Sequence, residues 1–448
     1  MKKMTKRGKV QRAIVVSMLC MMGTIGFCKA APQNGWVKEN NRGNGWYYYV
    51  NGSKVYNVWA KSGNDWYYLG EDGEMVTNSF INNDDRYAIE APDDTSAEWY
   101  YVGSDGKMAT GWVEVKYRQN SPSDTRENQW YYFGSSGVMY SSAWIQGVES
   151  WYYVLEDGTM ITDAIGSHLR NNADYRYEQD NMFDYIYDKG GRLVTGWCQD
   201  KDTKNWYYCR EDGVIYENRW GYINNKWYYL GNEGVMYTNE TGTHYGKYGI
   251  AEVDGDEFCF SSSGAIMTGW VDIDDDRRSE KWHYFGTDGA HVKNQWKKLN
   301  GKWYYLGTTG EMVTGFLKRT GNEKSYAYEV VVAPGAAESG VAYYYLSTKD
   351  GVMTTGALTL YAADGKTVER EYYFNSDGEM VTEEVHYITQ KGSRVYCYYG
   401  KDGKRVTDLK NTTIWRGSNG KYYPAAAAVN STDRAYATVD ANGVIRIK

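Results

Sequence analysis

Five histidines, His168, His244, His283, His291 and His386, are the residues best suited to moving protons near neutral pH. None stands in an H-E-x-x-H arrangement or in a Cys/His set. His283 takes the place of a tyrosine in a strand-like phrase, so its role reads as structural. Asp272, Asp274 and Asp276 alternate like the start of a calcium loop, but Arg277 stands where such a loop needs glycine. Carboxylates are plentiful enough for glycoside hydrolysis by an acid pair. No stretch outside the repeats described below would hold a catalytic domain, since the spacer 164–184 and the tail 407–435 are short. Cys198, Cys209, Cys259 and Cys397 are scattered without a C-x-x-C pair, which argues against zinc. Cys198 and Cys209 read either as a disulfide or as separate apolar fillers of strands. The expectation is therefore no enzyme, no cofactor and no metal.

The chemistry that remains belongs to rings. The 448 residues include 46 Tyr and 18 Trp but only 9 Phe, and 50 Gly but only 5 Pro, which is no ordinary globular mixture. Mean hydropathy is low at −0.70 although aromatics make up 16% of the chain. Disordered chains are poor in aromatics, so that class is excluded, as is a conventional aliphatic core. Ring faces with polar tips suit half-wet surfaces. The net charge of −7 and the lack of a basic patch exclude nucleic acid as a partner.

The N-terminus reads as a secretory signal peptide, residues 1–30: a basic region through Arg12, an apolar run from Ala13 to Phe27, and a small residue at Ala30, after which cleavage is expected. That run is short for a membrane span, and no later segment is apolar for long enough to cross a bilayer. The C-terminus carries no sorting motif with a hydrophobic tail, so attachment to a surface would be non-covalent. Secretion with cell-surface association is the expected localisation.

One phrase recurs along the chain: Trp-Tyr-Tyr-apolar, a short turn ending in Gly, then x-Met-x-Thr, and often Gly-Trp. Trp66-Tyr67-Tyr68-Leu69 leads to Gly73 and Met75, and Trp130-Tyr131-Tyr132-Phe133 leads to Gly137 and Met139. In eight copies, opening at Trp66, Trp99, Trp130, Trp151, Trp206, Trp227, Trp282 and Trp303, the Gly lies seven residues after the Trp. Degenerate copies fill the gaps, as at Tyr185-Ile186-Tyr187, Phe258-Cys259-Phe260 and Tyr343-Tyr344-Tyr345. Short units repeat every 20 or 21 residues; long ones, of 31 and 33, carry polar inserts such as 82–86 and 121–124.

Aromatic and β-branched runs favour strands, and the Gly-containing turns supply the positive φ that closes a tight loop. Each unit therefore reads as a two-stranded hairpin made by the phrase and the x-Met segment after its turn. Alternation puts Trp66 and Tyr68 on one face and Tyr67 and Leu69 on the other. A lone hairpin is unstable in water, so hairpins must stack. The predicted fold is all-β, a solenoid of stacked hairpin repeats with short and long units mixed. Residues 31–316 form a Trp-rich array and 317–448 a divergent Tyr-rich array with a C-terminal cap.

At these residues the chain resembles the cell-wall-binding repeat, also called the choline-binding repeat, of Gram-positive surface proteins and lysins. The likeness is strong from about Gly35 to Phe316 and weak beyond. It implies a β-hairpin solenoid that attaches non-covalently to choline on teichoic acid or to a wall polysaccharide. Mixed short and long units are also similar to the repeats of clostridial toxins, which bind carbohydrate. A quaternary ammonium donates no hydrogen bond, so a site recognises it by surrounding it with ring faces.

The resemblance places such cages between adjacent hairpins. One wall is the Trp of the Gly-Trp step, a second the Trp opening the next strand, and a third a Tyr of the following unit. The candidate pairs are Trp59/Trp66, Trp144/Trp151, Trp220/Trp227 and Trp296/Trp303, with Tyr153, Tyr229 and Tyr305 as completing walls. Trp112/Trp130, Trp197/Trp206 and Trp270/Trp282 are weaker pairs, because long units are expected to separate the walls. The same rings are also the only available core, so any given indole reads first as packing against its neighbour. After Phe316 the Gly-Trp step becomes Gly356-Ala357, and those hairpins are expected to stack without a cage. The functional expectation is a secreted, non-catalytic wall-binding protein, the alternative an adhesin for host or extracellular carbohydrate. Pairing of copies into a homodimer is left open.

Overall fold

The computed structural model describes residues 33–39, 45–82, 92, 97–116, 128–169, 182–273, 280–322, 325–425 and 432–448. The signal peptide, the insert residues 83–86 and 121–124, and Asp274, Asp276 and Arg277 lie outside them. Among the described residues the fold is all-β, built of stacked hairpins, with a single 3-10 turn at Asn232–Gly234 and no α-helix. Among the described residues no helix is long and apolar enough to cross a membrane. The chain divides into two units, Met1–Arg219 with Leu230–Val235, and Trp220–Tyr229 with Met236–Lys448. The compositional boundary at 316/317 is crossed without a break by the strand Gly315–Asn322.

The hairpins pair differently from the sequence reading. The phrase strand Asp65–Leu69 pairs with the strand before it, Val58–Ser62, not with the x-Met segment after its turn. The same holds for Gly111–Val115 with Gln129–Phe133 and for Gln295–Leu299 with Lys302–Leu306. Short tips favour this pairing: Asn300 and Gly301, at φ 49° and 81°, form the doubly left-handed turn whose twist matches the flanking strands. After the phrase, the turn closes as expected, with Gly73 N–H donating to Gly70 O at 3.0 Å. It leads only to an isolated bridge, Leu69 to Met75.

The x-Met segment has a different task. Met75 N–H donates to Trp46 O at 2.7 Å, Met108 N–H to Trp66 O at 2.8 Å and Met139 N–H to Trp99 O at 2.8 Å. In the second unit Met312 N–H reaches Trp282 O and Met353 N–H reaches Trp303 O, both at 2.8 Å. Each segment thus ties its own hairpin to the carbonyl that opens the previous phrase. The methionine side chain then lies over the turn glycine of the next copy: Met75 over Gly106, Met108 over Gly137, Met160 over Gly191 and Met380 over Gly403. At Gly106, Gly137 and Gly158 the seven-residue offset brings the glycine under the preceding copy's methionine; at Gly213, Gly234, Gly289 and Gly310 the side chain in that place is Leu193, Ile215, Ile266 and His291.

Rings carry the stack. The fourth phrase position is fully buried, as at Leu69, Val102, Phe133, Val154, Phe285 and Leu306. In the first unit the leading indole of each hairpin meets the second phrase residue of the next: Trp36 with Tyr67 at 5.0 Å, Trp59 with Tyr100 at 5.4 Å, Trp112 with Tyr152 at 5.3 Å and Trp144 with Tyr185 at 4.9 Å between centroids. The second unit repeats this with Trp220 and Phe258, Trp270 and Tyr304, Trp296 and Tyr344, and Phe316 and Tyr372. Such edge-to-face pairs contribute about 0.5–1.5 kcal/mol each beyond the area they bury. Each hairpin therefore has a forward face, with phrase positions one and three, and a backward face, with positions two and four.

Candidate aromatic binding sites

Pairing sets which rings share a face. Directly opposed residues in an antiparallel ladder point the same way. Trp144 opposes Tyr153 and Gln146 opposes Trp151, so Trp144, Tyr153 and Trp151 all lie on one face of one hairpin. Trp59, Tyr68 and Trp66 are arranged alike, as are Trp296, Tyr305 and Trp303. The two indoles of each candidate pair thus belong to a single hairpin rather than to two. At Trp197 and Trp206 their centroids are 6.4 Å apart and the ring planes stand at 81°, an open corner.

The completing tyrosines are placed differently from the expectation. Tyr153, Tyr229 and Tyr305 stack edge-to-face on Trp144, Trp220 and Trp296 within their own hairpins, at 5.2, 5.1 and 5.3 Å. Tyr305 is 2% exposed and donates its hydroxyl to Asn294 Oδ1 at 2.8 Å; burial pushes its pKa up to about 12. Burial also raises Tyr153 and Tyr229. The rings that reach across from the following hairpin are instead Tyr100, Tyr152, Tyr185, Tyr304 and Tyr344, with Phe258 beside Trp220. Sequence reasoning missed these, although alternation had already put the second phrase residue on the opposite face. That face is the one a following hairpin turns back toward its neighbour.

Long units keep the same geometry. Trp112 opposes Tyr132 and Glu114 opposes Trp130 although 13 residues separate strands Gly111–Val115 and Gln129–Phe133. Register is set by the ladder, so a longer connection between the two strands leaves the opposed pairs unchanged. The expected separation of walls in long units is therefore not found. In four of these hairpins the outer indole is exposed, Trp130 at 40%, Trp206 at 40%, Trp227 at 47% and Trp303 at 39%, while Trp66, Trp151 and Trp282 are half-buried. The hairpin 79–102 differs, because Phe80 replaces the leading Trp and Trp99 is 2% exposed, which closes the corner.

The histidine in the Trp282 phrase is part of a buried chain. His283 Nδ1 lies 2.9 Å from His291 Nε2, and His291 Nδ1 lies 2.8 Å from Glu257 Oε2. Lys293 Nζ completes it at 2.7 Å from Glu257 Oε1. His291 occupies the methionine place of its repeat, so this copy departs from the phrase at two residues that meet. Burial holds His283 down at about 4 and lowers His291 despite the Glu257 carboxylate. Cys198, Cys209, Cys259 and Cys397 are free thiols, and Cys209 and Cys259 are pushed up, by the Cys198 hydrogen bond and burial in the first case and by burial in the second. Among the described residues no group of metal-capable side chains gathers.

Two family models match parts of the chain. The model described as choline-binding repeat matches residues 267–315. The model described as putative cell wall binding repeat matches 59–75, 96–108, 127–139, 195–215 and 218–236. These segments carry repeats of the choline-binding, cell-wall-binding type. Similar solved structures of such repeats come from Streptococcus pneumoniae. The choline-binding domain of CbpL is 27% identical, with 52% of this chain and 97% of that chain covered and a TM-score of 0.33. The modular autolysin LytC, solved with a synthetic peptidoglycan ligand, is 22% identical at a TM-score of 0.34, over 63% of this chain. This repeat protein spans about half, 53%, of that autolysin chain. Choline-binding protein F, solved with a peptidoglycan analogue, is 24% identical over 84% of this chain and 99% of that chain, at a TM-score of 0.22. A search of curated proteins returns no match.

Proposed function

We propose that this repeat protein is a secreted, non-catalytic attachment module that holds choline of cell-wall teichoic acid in the corners of its stacked hairpins. The observation that carries the reading is the recurring trio of rings. Trp112 and Trp130 share one face of one hairpin, Tyr152 of the next hairpin packs on Trp112 at 5.3 Å, and Trp130 is wet. Ring faces at right angles suit a quaternary ammonium, which they attract without a hydrogen bond. Several weak cages within one unit would hold a polymer bearing many choline groups far more tightly than any one cage.

The purified chain should be retained on an immobilised tertiary-amine matrix and released by free choline. Passage through the matrix, with binding to polysaccharide that choline leaves untouched, would replace this reading with the carbohydrate one. Release of soluble fragments from purified walls by the protein alone would overturn its non-catalytic character.

A further inference from the structure

The corners differ in one residue, the one directly opposite the outer indole. Glu114 opposes Trp130, Gln146 opposes Trp151, Gln199 opposes Trp206, Lys61 opposes Trp66 and Lys298 opposes Trp303. Opposed residues share a face, so each of these side chains points to the same side as the corner it borders. The lysines use that placement. Lys61 Nζ lies 5.5 Å from the centroid of Trp66, and Lys298 Nζ lies 5.6 Å from that of Trp303. Each ammonium is within range of a cation–π attraction to the ring that a ligand would need. Both lysines are otherwise exposed. Glu114 offers a carboxylate in the same position, held by Asn128 Nδ2 at 3.3 Å with Lys116 Nζ 3.8 Å away. Asp272 opposes Trp282, but there Lys297 from the next hairpin also approaches Tyr284 at 5.9 Å, so that corner carries both signs.

The geometry points to a graded array, in which the residue opposite the outer indole decides how well each corner takes a quaternary ammonium. Lys61 and Lys298 are built-in cations that compete for their own corners, Gln146 and Gln199 are neutral, and Glu114 draws the ligand in. The inference rests on the choline reading given above and adds to it which corners fill first. A like charge about 5–6 Å from a bound ammonium, at an effective dielectric of about 40–60, weakens binding by roughly fivefold to tenfold, and a carboxylate strengthens it by a similar factor. Salt flattens the grading, because the charges are exposed.

The full chain labelled with fluorotryptophan gives a fluorine resonance for each indole, assigned by single Trp→Phe variants. Titration with choline chloride at low salt should saturate Trp130 first, Trp151 next, and Trp66 and Trp303 last. Lys298→Gln should move the Trp303 midpoint to roughly fivefold to tenfold lower choline and leave Trp151 in place; Lys298→Met checks that lost charge, not a new polar contact, is responsible. Glu114→Lys should move Trp130 behind Trp151. Equal midpoints at Trp66, Trp151 and Trp303, unmoved by these variants, would overturn the grading while leaving choline binding intact. Resonances that choline fails to move at any concentration would instead bring down the choline reading and the grading with it.

Discussion

The thioether of Met75 occupies the space that a side chain on Gly106 would need: its Sδ lies 2.6 Å from the position a β-carbon would take. Gly106 also sits at φ +75°. Two demands therefore meet at this glycine, seven residues after Trp99: a left-handed backbone and room for the preceding copy's methionine. Gly111, at φ +73°, has the first demand without the second, since nothing lies within 4 Å of its would-be β-carbon.

That pair separates the two costs. Gly111→Ala should lose about 1 kcal/mol from backbone strain alone. Gly106→Ala should lose a further 1–3 kcal/mol or so, because the methionine must be pushed out of a packed joint between hairpins. Denaturant unfolding of the two variants measures the difference directly. Equal losses would mean that the glycine answers only to the turn.

Acid should loosen the second unit. Burial lowers His283 to about 4 and lowers His291 too, so the folded chain keeps them neutral where an unfolded chain protonates them. Their contribution is complete above about pH 6.5 and is lost as pH falls toward about 4. Glu257 adds to the same trend: burial would raise it, but the hydrogen bonds from Lys293 and His291 hold it below its ordinary value. The melting midpoint should fall by several degrees between pH 7 and pH 4.5. The double variant His283→Tyr with His291→Met restores the phrase and should remove much of that dependence. A thermal melt at each pH checks it.

The Trp112–Tyr152 contact, 5.3 Å between centroids at 62°, joins two hairpins. Removal of either ring alone and both together should reveal a coupling of about 0.5–1.5 kcal/mol in stability. Tyr152→Ala should also weaken choline at the Trp130 corner, whereas Tyr153→Ala should leave that corner nearly unchanged. Fluorescence titration of the single variants distinguishes the two.

Choline should stabilise the fold in proportion to occupancy. A ligand that binds only the folded chain at 100 times its dissociation constant adds about 2.7 kcal/mol per site. The melting midpoint should therefore climb with choline across the millimolar range, and sodium chloride at equal ionic strength should not reproduce the rise.

Much of this was legible in the residues themselves. A phrase that repeats with Gly at a constant offset of seven can only be a repeated local structure, and its aromatic, proline-poor content dictates strands and tight turns. Alternation correctly put Trp66 and Tyr68 on one face and Tyr67 on the other, because side-chain period in a strand is a local property. Which segment each phrase strand would pair with was not local. The x-Met segment and the Gly-Trp segment are both extended and close in sequence. Only in the folded chain does the Met75 N–H find Trp46 O of the previous hairpin, leaving Asp65–Leu69 to the strand before it. That choice put both indoles of a corner on one hairpin and drew the third ring, Tyr100 or Tyr152, from the next. The exchange of a tyrosine and a methionine for His283 and His291 was likewise visible as two separate oddities. Their meeting at 2.9 Å, with Glu257 behind them, is a product of stacking between hairpins, which no spacing along a single strand encodes.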